Sequence, residues 1–435
     1  MKVPTLIAGG GLTGLSCART LAESESPYLL VERERNIGGL CRTVLKDGFA
    51  FDYTGHFLHF HRPEIKDWVL SLADNIFKTR QRHAVIYSHR TYSEYPYQEN
   101  NSGLPSDIVR ENVMGYLEAM LRSGAVGSRG PSNFKNWCQT TLGEGISKNF
   151  MFPYNRKLWK TPPEVLTTRW MGRFVPTPRI LEVLDGAFAR RPSASGYNSS
   201  FLYPDQGGIS VLPRTIGQGL PNLWNGVGLR ALSLKKKKAW LSSGLEVDYR
   251  VLVSSLPLDR LCDLALDLPK PLYAEAKRLK ATSIYNINLG IRGRQPIPFT
   301  WVYFPEEEFL FHRAGSVSAC VPTVAPKGCY SLYVEFSYQG PKPDPEKWYG
   351  HAVQKLVRLG WIGSKKDVIA RVDLNLPRAY VVYDQGREGS VRHLLEFLKG
   401  QGVHSTGRYG RWEYGSMESA IAQGIDSAKD ILAVN

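Results

Sequence analysis

The glycine-rich run Leu6-Ile-Ala-Gly-Gly-Gly-Leu-Thr-Gly14 leaves this chain few choices. Gly9, Gly11 and Gly14 fall in G-x-G-x-x-G spacing, directly after an apolar stretch and directly before a helical pattern that opens on Leu12 and Thr13. That order predicts a buried parallel strand, a turn without side chains and a helix N-terminus. Such a turn brings backbone N–H groups and the positive end of the helix dipole onto a pyrophosphate. Tyr28-Leu-Leu-Val-Glu32 predicts a second strand, and Glu32 falls eighteen residues past Gly14, where a ribose-binding carboxylate is expected. The glycine pattern alone is weak, since glycine-rich turns are common. Strand, turn, helix, strand and terminal acid in that order are specific.

Downstream, Arg33-Glu-Arg-Asn-Ile-Gly-Gly-Leu-Cys-Arg42 adds Gly38 and Gly39, followed by Leu40. A second glycine pair after the acid is the extended pattern of two-domain FAD proteins, in which the loop packs along the diphosphate. A plain NAD domain has no need of it. FAD is the expected cofactor, with Gly9, Gly11, Leu12, Thr13, Gly14, Glu32, Arg33, Gly38, Gly39 and Leu40 as its first set of contacts. Asp52-Tyr-Thr-Gly-His56 ends a strand-like alternation and breaks at Gly55, which places the backbone of Gly55 and His56 to approach a flavin ring. His56, His59 and His61 lack a carboxylate or cysteine cluster beside them, and no metal is expected. Near the C-terminus, Val403-His-Ser-Thr-Gly-Arg-Tyr-Gly-Arg411 precedes a helix start at Ser416-Met417, with Ser416 as its cap. Gly407, Arg408, Ser416 and Met417 form a second anion-binding segment, suited to the flavin's ribityl chain and pyrimidine edge.

At 435 residues the chain exceeds one compact core, so several domains are expected. No run reaches the ~18 apolar residues of a membrane span, and the chain enters its first strand at once, without the pattern of a signal peptide. Six scattered cysteines without a C-x-x-C pair fit a reducing compartment, the cytoplasm by default. The net charge of +15 favours anionic partners. Its only dense run, Lys235-Lys-Lys-Lys238, reads as an exposed hairpin edge, and nucleic acid is not an expected partner. The fold class is α/β: a discontinuous Rossmann-type FAD-binding domain (1–90, 201–283 and 376–435), an inserted helical domain (91–200) for substrate or nucleotide, and a mixed or antiparallel sheet substrate domain (284–375). An amphipathic helix is expected over 63–79, a hairpin over 84–97, and mobile loops at Gly207-Gly208 and over Gly124–Gly130.

Further segments, taken in order, resemble the UDP-galactopyranose mutase family, especially its eukaryotic-type members, within the amine-oxidase-like and protoporphyrinogen-oxidase-like flavoproteins. Besides the glycine turn, Gly38-Gly39 and Asp52–His56, they are Tyr95-Pro-Tyr-Gln-Glu-Asn100, Phe152-Pro-Tyr-Asn-Arg-Lys-Leu-Trp159, Trp170-Met-Gly-Arg173, Trp301-Val-Tyr-Phe-Pro305 with Phe311-His-Arg313, Tyr380, and Gly407–Tyr414. Each is modest alone; their collinearity over most of the chain is specific. The resemblance implies a redox-neutral use of reduced FAD, whose N5 attacks the anomeric carbon of a nucleotide sugar and displaces UDP. It implies UDP-galactopyranose and UDP-galactofuranose as substrates and an external flavin reductant such as NADPH, and it leaves the oligomeric state open. It assigns the leaving diphosphate to Arg313 and Arg173, catalytic contacts to His56, Tyr303, Tyr380 and Tyr414, and substrate contacts to Tyr95, Gln98, Asn100, Tyr154, Asn155, Trp159 and Trp170 as well. Fixed guanidiniums suit developing phosphate charge, and phenols donate without adding charge. Three departures are visible: Arg173 stands one position before the family's first diphosphate arginine, where this chain has Phe174; Asp52-Tyr-Thr-Gly-His56 differs from the family's usual residues before the histidine; and the chain is shorter than eukaryotic members. The alternative is a true FAD oxidoreductase of the amine-oxidase or protoporphyrinogen-oxidase type, with an aromatic cage and no paired arginines. A basic scaffold for nucleic acid is a third reading, motivated by charge alone.

Overall fold

The computed structural model describes residues 1–73, 75–123, 132–189 and 199–433, Arg173 by its backbone only. The expected loop over Gly124–Gly130 lies outside the described residues. The strand Lys2–Ala8 sits inside a parallel sheet, flanked by Tyr28–Glu32 and Glu246–Ser254. Leu223–Asn225 extends the sheet beyond Tyr28–Glu32, and Val403–Ser405 pairs with the far edge of Glu246–Ser254, both in parallel. Leu6, Ile7, Leu29, Leu30, Leu252 and Val253 are fully buried, as the inner strands of a sheet covered on both faces must be. An antiparallel hairpin, Leu229–Ser233 with Lys238–Leu241, closes one side, and its turn carries Lys235–Lys237. Segments more than two hundred residues apart thus build one nucleotide-binding domain.

Helix Leu12–Glu23 packs on the C-terminal helix Met417–Leu432 with almost no space between backbones. A Cβ on Gly424 would stand 2.1 Å from Ser16 Oγ and 2.2 Å from the Thr13 carbonyl oxygen. The Thr13 hydroxyl donates to the Ala420 carbonyl (2.8 Å) and the Ser16 hydroxyl to that of Ile421 (3.0 Å), so the side chains at this crossing bond across it.

The second sheet has seven strands in the order Val368–Val381, Ala281–Arg292, Cys329–Tyr338, Arg313–Gly315, Trp301–Tyr303, Ala84–Ser88, Thr91–Glu94. All neighbours are antiparallel except Trp301–Tyr303 beside Ala84–Ser88. Helices Ser106–Ser123, Phe134–Thr141, Phe152–Trp159 and Ile180–Phe188 form the insert. Among the described residues no helix is long and apolar enough to cross a membrane.

Three boundaries differ from expectation. The helix beginning at Pro63 ends at Ser71, and Phe77–Gln81 is a strand, held by antiparallel pairing with distant Ser200–Pro204. The hairpin Ala84–Glu94 belongs to the second sheet, although 1–90 was expected to be nucleotide-binding; its partner is Trp301–Tyr303. Strand Val368–Val381 runs through the expected boundary at 375/376 and carries Tyr380. In each case pairing with remote chain decided the element.

Gly424→Val forces two backbones apart and is expected to destabilise the protein by about 3 kcal/mol, the upper end for an overpacked interior. The check is the thermal unfolding midpoint of the purified variant beside wild type.

Candidate active site

The glycine turn has the form a pyrophosphate needs. Gly9 is at φ +103°, and a Cβ on Gly14 would lie 1.9 Å from the Gly9 carbonyl oxygen, so neither position admits a side chain. A Cβ on Gly11 would meet only Gly39 Cα, at 3.9 Å; the space above the turn is open. Gly11 caps helix Leu12–Glu23 without a side-chain hydrogen bond, which leaves that N-terminus for a ligand. Glu32 accepts from the Gly10 N–H (2.6 Å) through one carboxylate oxygen and from the Glu34 N–H (2.8 Å) through the other. The carboxylate is thereby fixed at the strand end with lone pairs to spare for ribose hydroxyls. Arg33 turns instead to solvent and pairs with Glu34. The residues present fit the adenosine diphosphate half of FAD.

Between the two sheets and the helical insert lies a chamber with aromatic walls. His56, Tyr95, Arg408, Tyr409 and Tyr414 keep accessible surface while lying deep in the protein, so that surface faces an interior space. Removal from bulk water pushes His56 down to about 4, against the pull of the Glu335 carboxylate, and pushes the Tyr95 and Tyr414 phenols well up. At neutral pH the imidazole and both phenols are uncharged. Gly55 lets Trp301 lie flat against the flavin-side loop: a Cβ there would stand 2.7 Å from the indole ring. Tyr303 stacks on Tyr95 (5.3 Å, 23°) and meets Tyr154 edge-on (5.1 Å). On the opposite side Tyr380 stacks on Tyr414 (5.9 Å, 27°), and Trp159 packs edge-on to Tyr380 (5.7 Å).

Three guanidiniums reach these walls. Arg313 lies over the Trp301 ring with Cζ 3.9 Å from its centroid, and Arg82 lies 5.1 Å from the same ring while donating to the Tyr303 hydroxyl (3.2 Å). Arg408 stands over Tyr380 and Tyr414 (5.5 and 5.0 Å) and donates to the carbonyls of Gly415 and Ala379. Arg313 also forms a buried ion pair with Glu335, and its guanidinium reaches the Tyr380 hydroxyl at 3.4 Å. Burial raises the Glu335 carboxyl, but Arg313 and His312 outweigh that and hold it at about 2.

The other expected residues divide. Trp170 closes on Trp159 (4.9 Å) with its indole N–H buried and without a partner among the described residues. Phe174 puts its ring edge-on to Tyr414 at 4.5 Å, so that position of the one-turn helix Gly172–Phe174 brings an aromatic, not a cation, to the wall. The Arg173 side chain lies outside what is described. Asn155 is buried, and its amide donates to the Met151 carbonyl and accepts from Trp159 Nε1, both within its own helix. Gln98 donates to the Pro176 carbonyl (2.7 Å) and Asn100 to that of Pro96 (3.0 Å). The Gly407 N–H is taken by Gln423 Oε1 (2.8 Å), and Ser416 caps its helix by accepting from the Ser419 N–H (3.1 Å). Met417 opens that helix, while Leu12 is buried in one apolar cluster and Leu40, half-buried, packs against another. Sequence reasoning missed Arg82, His312 and Glu335. Glu335 had a signal, an acid inside the apolar strand Cys329–Tyr338; Arg82 had none.

Asp52 anchors the flavin-side loop from below. Its carboxylate accepts from the Tyr203 hydroxyl (2.6 Å), the Thr43 hydroxyl (2.7 Å) and the Ile209 N–H (3.1 Å), which ties Gly207-Gly208 to the strand before His56. Burial pushes it up to about 6 in spite of these bonds.

Residues 7–72 match the NAD(P)-binding Rossmann-like domain family. Polyamine oxidase 2 of Arabidopsis thaliana is 26% identical over 70% of this chain, and the chain spans 60% of that protein's length. The solved structure of reduced UDP-galactopyranose mutase superposes with a TM-score of 0.91 at 25% identity, covering 100% of this chain and 96% of that one. Cyclohexylamine oxidase from Brevibacterium oxydans IH-35A gives 0.71 at 14% identity, with 99% of each chain covered; that likeness is one of fold.

Two outcomes test the site. Gly11→Val fills the open cradle, and the purified variant is expected to retain less than about a tenth of the wild-type flavin, read from its visible absorbance. Asp52 is neutral in the folded protein until the pH passes about 6, whereas it ionises near 3.8 when unfolded. Its stabilising effect is therefore full below pH 3.8 and lost as the pH rises to about 6, a change of roughly 3 kcal/mol by linkage. Asp52→Asn removes this slope, so its melting temperature should gain on wild type from pH 4 to about pH 6 and hold that gain above it.

Proposed function

We propose that this chain, which belongs with UDP-galactopyranose mutase among the FAD-binding amine-oxidase-like flavoproteins, is itself a flavin-dependent pyranose–furanose mutase acting on a nucleotide sugar, UDP-galactose first among them. The observation that carries the reading is the charge of the chamber. Among the described residues, Arg82, Arg313 and Arg408 stand against its aromatic walls, and Glu335 is the buried carboxylate paired with one of them, Arg313. Such a space attracts a diphosphate and repels an alkylamine, which is a cation at neutral pH. The stacked pair Tyr380–Tyr414 is what favours an oxidase, since an aromatic cage would serve a small amine; the surrounding guanidiniums weigh against it.

Bound and reduced, FAD would supply a nucleophilic nitrogen to the sugar's anomeric carbon. The work left to the protein is to hold the diphosphate while it departs and returns, to orient the sugar hydroxyls and to exclude water. Arg313 and Arg82, both over the Trp301 indole, are the groups to which this reading gives the phosphates. Tyr303, Tyr380 and Tyr414 carry hydroxyls on rings held by stacking. His56, neutral above about pH 4, adds no charge beside the flavin.

The test is a chromatographic assay of dithionite-reduced protein with UDP-galactofuranose and with UDP-galactopyranose. Interconversion that stops when the flavin is oxidised is the expected result. Hydrogen peroxide released from putrescine or cyclohexylamine by the oxidised protein, without interconversion, would overturn the reading. Arg313→Ala should lower kcat by about a hundredfold or more with FAD still bound, the scale for losing one fixed charge-stabilising group.

A further inference from the structure

Glu335 lies fully buried in the strand Cys329–Tyr338, where it is the one acidic residue, in register between Arg313 on one neighbouring strand and Asn286 on the other. One carboxylate oxygen accepts from the Arg313 guanidinium and lies 3.4 Å from His312 Nε2. The second oxygen and both polar atoms of the Asn286 side chain find no partner among the described residues. A carboxylate kept for stability would have its oxygens saturated, and a buried ion pair adds little stability over apolar residues of the same shape. His312 is pushed down to about 4 by burial and is neutral, so Arg313 is the cation that Glu335 opposes. What the acid does alter is the net charge at the arginine that grips the diphosphate.

We infer that Glu335 is a positioning residue that sets the strength of the diphosphate subsite: it orients the Arg313 guanidinium by hydrogen bonding and offsets its charge, so that a nucleoside diphosphate is held without being trapped. The inference rests on the nucleotide-sugar reading above, because a mutase must release the diphosphate from the anomeric carbon, take it back, and then let the product go within each turnover. An uncompensated guanidinium over Trp301 would bind the same group too tightly to leave. The arrangement keeps Arg313 fixed by geometry and moderate in charge.

The experiment measures UDP binding to the FAD-loaded protein by calorimetry, alongside steady-state kinetics of the reduced enzyme. Glu335→Gln keeps an acceptor for Arg313 and removes the charge; it is expected to bind UDP on the order of tenfold more tightly, with kcat and KM falling together. Glu335→Met removes the orienting hydrogen bond together with the charge, so it should tighten UDP less than Glu335→Gln does. In an Arg313→Met background the added Glu335→Gln should change UDP affinity by less than about twofold, since burial leaves an unpaired Glu335 protonated and already neutral. A role confined to folding gives the opposite pattern: weaker UDP binding in both backgrounds, which overturns the inference. Unchanged UDP affinity in Glu335→Gln also overturns it, while leaving the mutase reading in place if interconversion persists. Loss of FAD from both single variants assigns Glu335 to folding and overturns it too. Absence of UDP binding to wild type and to every variant overturns the nucleotide-sugar reading together with this one.

Discussion

The contact on which the rest of the molecule depends is the approach of helix Leu12–Glu23 to its neighbours at backbone distance. Gly14 faces the Gly9 carbonyl, Gly407 faces Thr13, and Gly424 faces Thr13 and Ser16; at each a Cβ would stand within 2.5 Å of another atom. The first turn of that helix is therefore enclosed by the strand before it, by the loop after Val403–Ser405 and by the C-terminal helix. Three segments of chain meet there, and the meeting is what makes a discontinuous domain one body. It also fixes the segment 407–414, so that Arg408 and Tyr414 arrive at the chamber from the nucleotide-binding side.

Buried carboxylates then join this body to the loops around it. Glu32 collects the N–H groups of Gly10 and Glu34, Asp52 collects Thr43, Tyr203 and Ile209, and Glu418 collects the N–H groups of His61 and Arg62. Each replaces water around a loop that must curve past the flavin, and such charge-assisted bonds are about twice as strong as neutral ones. Lys157 does the converse from the helical insert. Its ammonium donates to the carbonyls of Phe304 and Glu306, at the start of the loop that leads to Arg313, and so ties the insert to the substrate sheet. Burial, reinforced by Lys160, pushes that lysine down to about 7.

Local pattern made the nucleotide turn legible, because glycine at fixed spacing and two apolar strands need no distant partner to be recognised. Aromatic positions such as Tyr303, Tyr380 and Tyr414 were legible by collinear resemblance, and the structure does bring them to one chamber. The misreadings share a cause. Phe77–Gln81 is a strand only because Ser200–Pro204 lies beside it, and Ala84–Glu94 joins the second sheet only through Trp301–Tyr303. Arg82 and Glu335 acquire meaning through Trp301 and cross-strand register, neither of which a reading along the chain displays.

The same scaffold also houses an amine oxidase of near-complete coverage, so the fold by itself does not choose a substrate. Nor does the overall charge of +15, much of which is spread over a surface where lysines such as Lys235 project from a turn. The choice rests on local sign. A chamber that draws in a protonated amine does so with carboxylates or aromatic faces, and guanidiniums at the wall oppose it. Here, among the described residues, the wall carries Arg82, Arg313 and Arg408, and the carboxylate of Glu335 is withdrawn into the sheet beside Arg313 with no surface of its own. A ligand entering the chamber meets the cations first and feels the acid only as a discount on one of them. That ordering, cation in front and carboxylate behind, is what the proposed reading of an anion held reversibly rests on.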